Sequence, residues 1–214
     1  MEDVREQVST PVNVSVIYYS STGTVFALAK AAATAAEKAG AEVRLRKVPE
    51  LAPAEAIAAN AGWSAHMEVT QHVKEAMHDD LAWADVLLLG APTRYGLPAS
   101  QMKQFIDTTG PLWAQGLLMD KVASSFTATS TRHGGQESTI LALNNTFYHW
   151  GCVIVPPGYA DPIQFQSGNP YGSGHVAATG EEPPGEVELA AMEFQARRAV
   201  QFAAWLKRGR TAGR

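Results

Sequence analysis

Residues 12–25, VNVSVIYYSSTGTV, constrain the fold of this chain more than any other stretch. Val12, Val14, Val16, Ile17 and Tyr18 are β-branched or aromatic, which predicts a strand. The run breaks at Ser20-Ser21-Thr22-Gly23-Thr24, small residues that favour turns and helix caps. Val25, Leu28, Ala29, Ala32 and Ala36 then share one helical face. A strand feeding a hydroxyl-bearing loop and then a helix start gathers free N–H groups, hydroxyls and the positive end of the helix dipole. Such a loop either caps its helix or holds an anion, and taken alone it leaves both readings open.

The loop content narrows the anion. It lacks the Gly-Lys-Ser/Thr ending of a nucleoside triphosphate loop. It also lacks the three spaced glycines of a dinucleotide fingerprint. A single terminal phosphate, held by hydroxyls and amides with no cation in the loop, suits flavin mononucleotide (FMN).

Further along, Gly40 is a natural helix stop, and residues 41–48 (AEVRLRKV) alternate as an edge strand should. Residues 49–67 read as an irregular cover with a short helix over 54–60, and residues 71–79 as another short helix. The run ADVLLLG (84–90) is apolar without alternation, the mark of a parallel strand covered on both faces. A loop fixed by Pro92 and Pro98 follows, then a helix over 99–108 ending at Gly110-Pro111. Residues 121–127 form a strand weakened by Ser124 and Ser125, and 128–135 a hydroxyl- and glycine-bearing loop. A helix over 136–150, a strand over 152–155, a structureless stretch over 156–185 and a helix over 186–207 complete the chain. On that last helix Leu189, Met192, Ala196, Ala199, Ala203 and Leu206 form a packing stripe, and the basic residues after it, Lys207 to Arg214, complement its C-terminus. The alternation predicts an α/β fold, a doubly wound five-stranded parallel sheet in a three-layer sandwich. Ligands of such sheets sit beyond the carboxyl ends of the strands at the topological switch point, which selects loops 20–25, 92–98 and 128–135.

Composition excludes several classes of function. At 214 residues the chain can bury one sizeable core, and 46% apolar against 18% charged residues is a globular balance. The net charge of −4 argues against a nucleic-acid surface. No run of 18 apolar residues offers a membrane span. The polar N-terminus predicts no signal peptide but a frayed leader over 1–11, followed by one domain over 12–208. Cys152 stands alone, so neither an internal disulfide nor a cysteine-rich metal site is expected, and a cytoplasmic setting is. The histidines outside the segments above show no metal-ligand spacing.

Six segments in order, VIYYSSTG (16–23), GAPTRYG (90–96), QMKQFIDTTGPLW (101–113), GGQE (134–137), HWGCVIVPPGY (149–159) and NPYG (169–172), cover most of the chain. Together they resemble the WrbA-type NAD(P)H:quinone oxidoreductases of the flavodoxin-like superfamily. The resemblance implies that Ser20, Ser21, Thr22, Gly23, Thr24 and Val25 hold the FMN phosphate. Thr93, Arg94 and Tyr95, following Pro92, would line the isoalloxazine. Ala128, Thr129, Ser130, Thr131, Arg132 and His133, with Gly134, would wrap the ribityl chain and ring edge. His149 matches a histidine at the flavin and Trp113 a tryptophan of the substrate pocket, and the family is typically tetrameric with sites built across subunits. Three positions depart from the pattern. Thr22 replaces an aromatic, loop 129–135 is poorer in glycine and one residue longer, and Trp150 replaces a second histidine.

Each candidate has a plainer reading beside the functional one. Arg94 could stabilise negative charge on the N1–C2=O region of reduced flavin, or be a surface arginine on a rigid loop. Tyr95 could pack on the flavin or on its own loop. His149 ends a helix, where a histidine also serves the dipole. Trp113 could simply cap the core. The expected activity is two-electron reduction of a quinone by NADH or NADPH through FMN, with ping-pong kinetics, in a homotetramer. The alternatives are a flavodoxin-like electron carrier, which the mild charge disfavours, and a regulatory binding protein. A phospho-receiver is rejected, because the strand ends carry Tyr18-Tyr19-Ser20 and Ala91-Pro92 and no acidic cluster.

Overall fold

A computed structural model describes residues 11–212, with side chains through Arg210. The expected leader therefore lies, apart from Pro11, outside the described residues, as does Arg214. The chain opens with β1 (Asn13–Tyr18), α1 (Thr24–Lys38) and the edge strand β2 (Glu42–Lys47). Three short helices follow, α2 (Ala54–Ala58), α3 (Ala61–Val69) and α4 (His78–Trp83). The centre holds β3 (Val86–Arg94), β4 (Leu97–Pro98), α5 (Ser100–Asp107), α6 (Gly110–Ala114), β5 (Val122–Thr129) and α7 (Gln136–Trp150). The last third is β6 (Val153–Ile154), α8 (Pro162–Ser167), β7 (Gly174–Val176) and α9 (Glu186–Ala212).

Five parallel strands run in the order β2-β1-β3-β5-β6, with helices on both faces, as the alternation of the sequence predicts. The uninterrupted run of β3 is divided between two cores. Val86 and Leu88 join Val14, Val16 and Tyr18 against α1 and α9, while Leu87 and Leu89 join Ile17 against α4, α5 and α7. Ser124 and Ser125 do not weaken β5, because partners meet both hydroxyls. Gln195 Nε2 donates to Ser124 Oγ at 2.7 Å, and Ser125 Oγ donates to Asn144 Oδ1 at 2.7 Å.

Several local expectations are corrected. The loop expected over 91–98 is a hairpin: β3 continues through Pro92 and Thr93, and β4 returns antiparallel with Arg94 opposite Leu97. Tyr95 (φ 54°) and Gly96 (φ 81°) form its two-residue turn, both in the left-handed region that the sheet twist favours. No helix spans 71–79. Lys47 N donates to Lys74 O and Ala76 N to Lys47 O, which binds this segment to the edge of β2. The helix there starts only at His78, where Asp80 Oδ2 accepts from Met77 N. The cover before it holds two helices, since Asn60 Oδ1 accepts from Trp63 N and restarts α3 after α2 ends. The stretch 156–185 is not structureless. Asp161 caps α8, Pro162 is its first residue, Gly168 (φ 78°) ends it, and β7 pairs with the last residues of β5. Thus β6 and β7 share one edge of β5, at opposite ends. The final helix passes the expected end at Lys207, whose Nζ pairs with Asp85 Oδ2 at 2.6 Å at the base of the sheet.

Candidate active site

The switch point lies between β1 and β3, where the chain turns to opposite faces of the sheet. A cavity of about 200 Å³ opens there. Ser21, Thr22 and Thr24 line it from the loop after β1, Pro92, Thr93 and Arg94 from β3, and Ala128, Thr129 and Ser130 from the end of β5. Residues of all three loops chosen from sequence therefore meet at one site.

The start of α1 is built for an anion. Its N-cap is Gly23 (φ 99°), with no side-chain cap and no acidic residue in the first turn. The first intrahelical bond runs from Ala27 N to Gly23 O at 3.0 Å, so the preceding amides face outward beside the Ser21 and Thr24 hydroxyls. Ser20 does not line the cavity. It is buried, and its Oγ accepts from Gly23 N at 3.0 Å, which shapes the turn. Val25 is fully buried in the core, leaving only its backbone available. Behind Gly23 stands His66: a Cβ at Gly23 would lie 3.3 Å from His66 Nδ1, and φ there already excludes most side chains. Burial, then the Lys47 charge, lowers the His66 pKa. These residues fit a phosphate monoester.

Thr93 fastens the hairpin to the other loop. Its Oγ1 donates to Gly134 O (3.3 Å) and accepts from Gly96 N (3.1 Å) and Thr139 Oγ1 (2.9 Å). A Cβ at Gly135 (φ 92°) would sit 2.7 Å from Gly96 Cα, so the two loops touch where only glycine permits. Arg94 is exposed at the cavity, its Nη1 donating to Thr93 O at 2.8 Å. Tyr95, fully exposed at the turn tip, and Thr131, Arg132 and His133, also exposed, do not line the cavity of this chain. His149 and Trp113 are elsewhere. Trp113 Nε1 donates to His149 O at 3.0 Å, and both lie near Gly151, whose O accepts from Asp120 N at the start of β5.

Two features were missed from sequence. Asn60, Ala177, Thr179, Gly180 and Glu181 also line the cavity, the last four as a strap after β7. Beside the site, Glu50 gathers Tyr19 Oη (2.9 Å), Gln101 Nε2 (2.6 Å) and Trp63 Nε1 (3.1 Å). Burial opposes its charge, but hydrogen bonds from Ala52 N, Gln101, Tyr19 and Leu51 N outweigh it and hold the carboxyl below the usual range. Burial, then the Glu50 hydrogen bond, pushes the Tyr19 phenol up. Only structure could find this cluster, because its members come from four separate segments.

Residues 12–165 match the family model of the NADPH-dependent FMN reductases. A NAD(P)H dehydrogenase (quinone) of Deinococcus radiodurans is 45% identical over 199 residues, 92% of this chain and 98% of that protein. Proteins of the same name from Sinorhizobium fredii and Aromatoleum aromaticum are 43% and 41% identical over 90% and 93% of this chain, 98% and 99% of their own. Among solved structures, a WrbA-like flavodoxin of Agrobacterium tumefaciens shares the fold with a TM-score of 0.64 at 22% identity, over 90% of this chain and 97% of that one.

Proposed function

The chain belongs to the NADPH-dependent FMN reductase family, and on that footing we propose that it is an FMN-dependent NAD(P)H:quinone oxidoreductase. The observation that carries the reading is the cavity at the switch point, lined by an uncapped helix start with its hydroxyls and by Arg94. FMN, when bound, supplies the two-electron chemistry between the nicotinamide and the quinone. The protein's part is binding and electrostatics. Ser21, Thr24 and the α1 amides would hold the phosphate, with Ser20 and Gly23 fixing the turn. Thr93 and Pro92 would carry the ring, Thr129 and Ser130 the ribityl side, and the Arg94 guanidinium would favour negative charge on the pyrimidine edge.

Nicotinamide and quinone would use the same open face in turn, giving ping-pong kinetics. Tyr95, at the tip of the hairpin, and Arg132 and His133, which lie outside the cavity lining, would border that face once the flavin is bound. His149 and Trp113 would reach it from a second copy, in the homotetramer that the resemblance of the sequence segments implies. The lone Cys152 accords with a cytoplasmic setting, and no helix among the described residues is long and apolar enough to cross a membrane.

The test is anaerobic stopped-flow absorbance of the FMN-loaded protein, mixed with NADH or NADPH and then with benzoquinone. Rapid bleaching followed by full reoxidation supports the assignment. Flavin that binds but stays oxidised with both nucleotides would instead make the protein a carrier or regulator.

A further inference from the structure

The cavity has unlike walls. The loop after β1 presents donors, but the strap of residues 177–182 that roofs the same end presents the Gly180 carbonyl and the Glu181 carboxylate beside the Thr179 hydroxyl. Ala177 N donates to Thr129 O at 2.8 Å, which carries β7 straight into the strap. Thr22 Oγ1 then donates to Gly180 O at 2.6 Å, so the Thr22 proton is committed to the roof. On the far side, the His175 ring meets Glu182 O at 2.7 Å. Glu181 reaches across to α3, where a Cβ on Gly62 would lie 2.4 Å from its Oε1. Its carboxylate thus lies against Gly62, where a side chain would push it aside.

We propose that this strap is a length stop, with Glu181 the residue that selects a flavin phosphate monoester over a diphosphate-extended flavin. The proposal rests on the assignment of the flavin phosphate to the loop after β1. A ligand that ends at one phosphate needs only the donors of that loop. A second phosphate would extend toward the Gly180 carbonyl and the Glu181 carboxylate, where it finds acceptors in place of donors and a like charge. Thr22 contributes by holding the roof down. Its replacement of the family's aromatic thereby acquires a structural reason. Glu181 is exposed, so the charge effect is largest at low ionic strength.

The experiment is calorimetric titration of the full-length, flavin-stripped protein with riboflavin, FMN and FAD at low salt. The wild type is expected to bind FMN tightest. Glu181→Gln should narrow the FAD-to-FMN ratio of Kd by about tenfold, and Glu181→Lys further, with riboflavin unmoved. Added salt should narrow the wild-type ratio in the same direction. A ratio unchanged in both variants, or FMN and FAD shifting equally, overturns the stop while leaving the phosphate loop intact. Riboflavin binding as tightly as FMN to the wild type removes the phosphate assignment itself, and the stop with it.

Discussion

Tyr95 holds φ 54° at the tip of the hairpin, a conformation that costs a non-glycine residue about 1 kcal/mol. Its side chain is fully exposed, so it is the β3–β4 hairpin turn, and no packing of the ring, that holds this conformation. Tyr95→Asn, which tolerates the left-handed region, is expected to raise the unfolding free energy by about 0.5–1 kcal/mol while weakening flavin or substrate binding. Denaturant titration beside a flavin titration checks both, and a variant with no loss of binding would leave Tyr95 without a role. Thr24→Val should weaken FMN at least about tenfold by removing one charge-assisted hydrogen bond. Riboflavin affinity should be unmoved by the same change. Arg94→Ala should lower the two-electron flavin potential by about 20–40 mV, the equivalent of roughly 1–2 kcal/mol lost from the reduced anion. A wild-type potential in redox titration would reduce Arg94 to scaffold. At this scale the sequence was informative about residue types in loops, such as Thr22, Thr24 and Arg94. It assigned Ser20 to the phosphate, whereas its hydroxyl turns inward to accept from Gly23 N, and it was silent on Glu181, an unremarkable charge until the strap is seen to cross the site.

The elements were legible where periodicity runs long. The central strand, α1 and α7 follow from apolar spacing and from glycine stops at Gly40 and Gly151, and tertiary packing agrees with them. The hairpin was hidden because two prolines read as a rigid loop, yet Pro92 uses only its carbonyl, which accepts from Ala99 N. The helix α8 carried its signals in plain view, Asp161-Pro162 at the start and Gly168 at the end, but it is short and surrounded by glycines. The Glu50 cluster ties the end of β1 to α3 and α5, and its sign against pH is definite. A carboxyl held below its usual range contributes stability that is full above the unfolded value and is lost as pH falls through the carboxylate range. His66 acts in the same direction at higher pH, since a lowered histidine value means the unfolded chain takes up the proton first, below about 6.5. Thermal midpoints are therefore expected to fall in two steps on acidification. Glu50→Gln should flatten the lower step and cost about 1 kcal/mol near neutrality, and a lower step that survives the change would place its origin elsewhere.

At the scale of the whole molecule, the positions of His149 and Trp113 decide what kind of active site this is. The cavity sits at the end of β5, whereas Gly151 bonds to Asp120 at its beginning, so the eight residues of the strand separate them by about 20 Å. No motion of a packed three-layer sandwich brings those ends together. The surroundings of the pair are apolar and exposed, with Trp113 at 59%, Met119 at 61% and Tyr148 at 70% of their full accessibility. Such a cluster suits an interface between copies. If His149 and Trp113 serve the flavin, they serve a neighbour's, and genetic complementation can show it. Arg94→Ala and His149→Ala subunits, each expected to be impaired alone, should regain activity when mixed and reassembled. Random mixing restores an intact Arg94–His149 pair at roughly a quarter of sites in a symmetric assembly. Light scattering on the same samples should report a tetramer. Mixed samples no more active than their components, or a monomer in solution, would confine the site to the residues of one chain and leave Trp113 and His149 to packing.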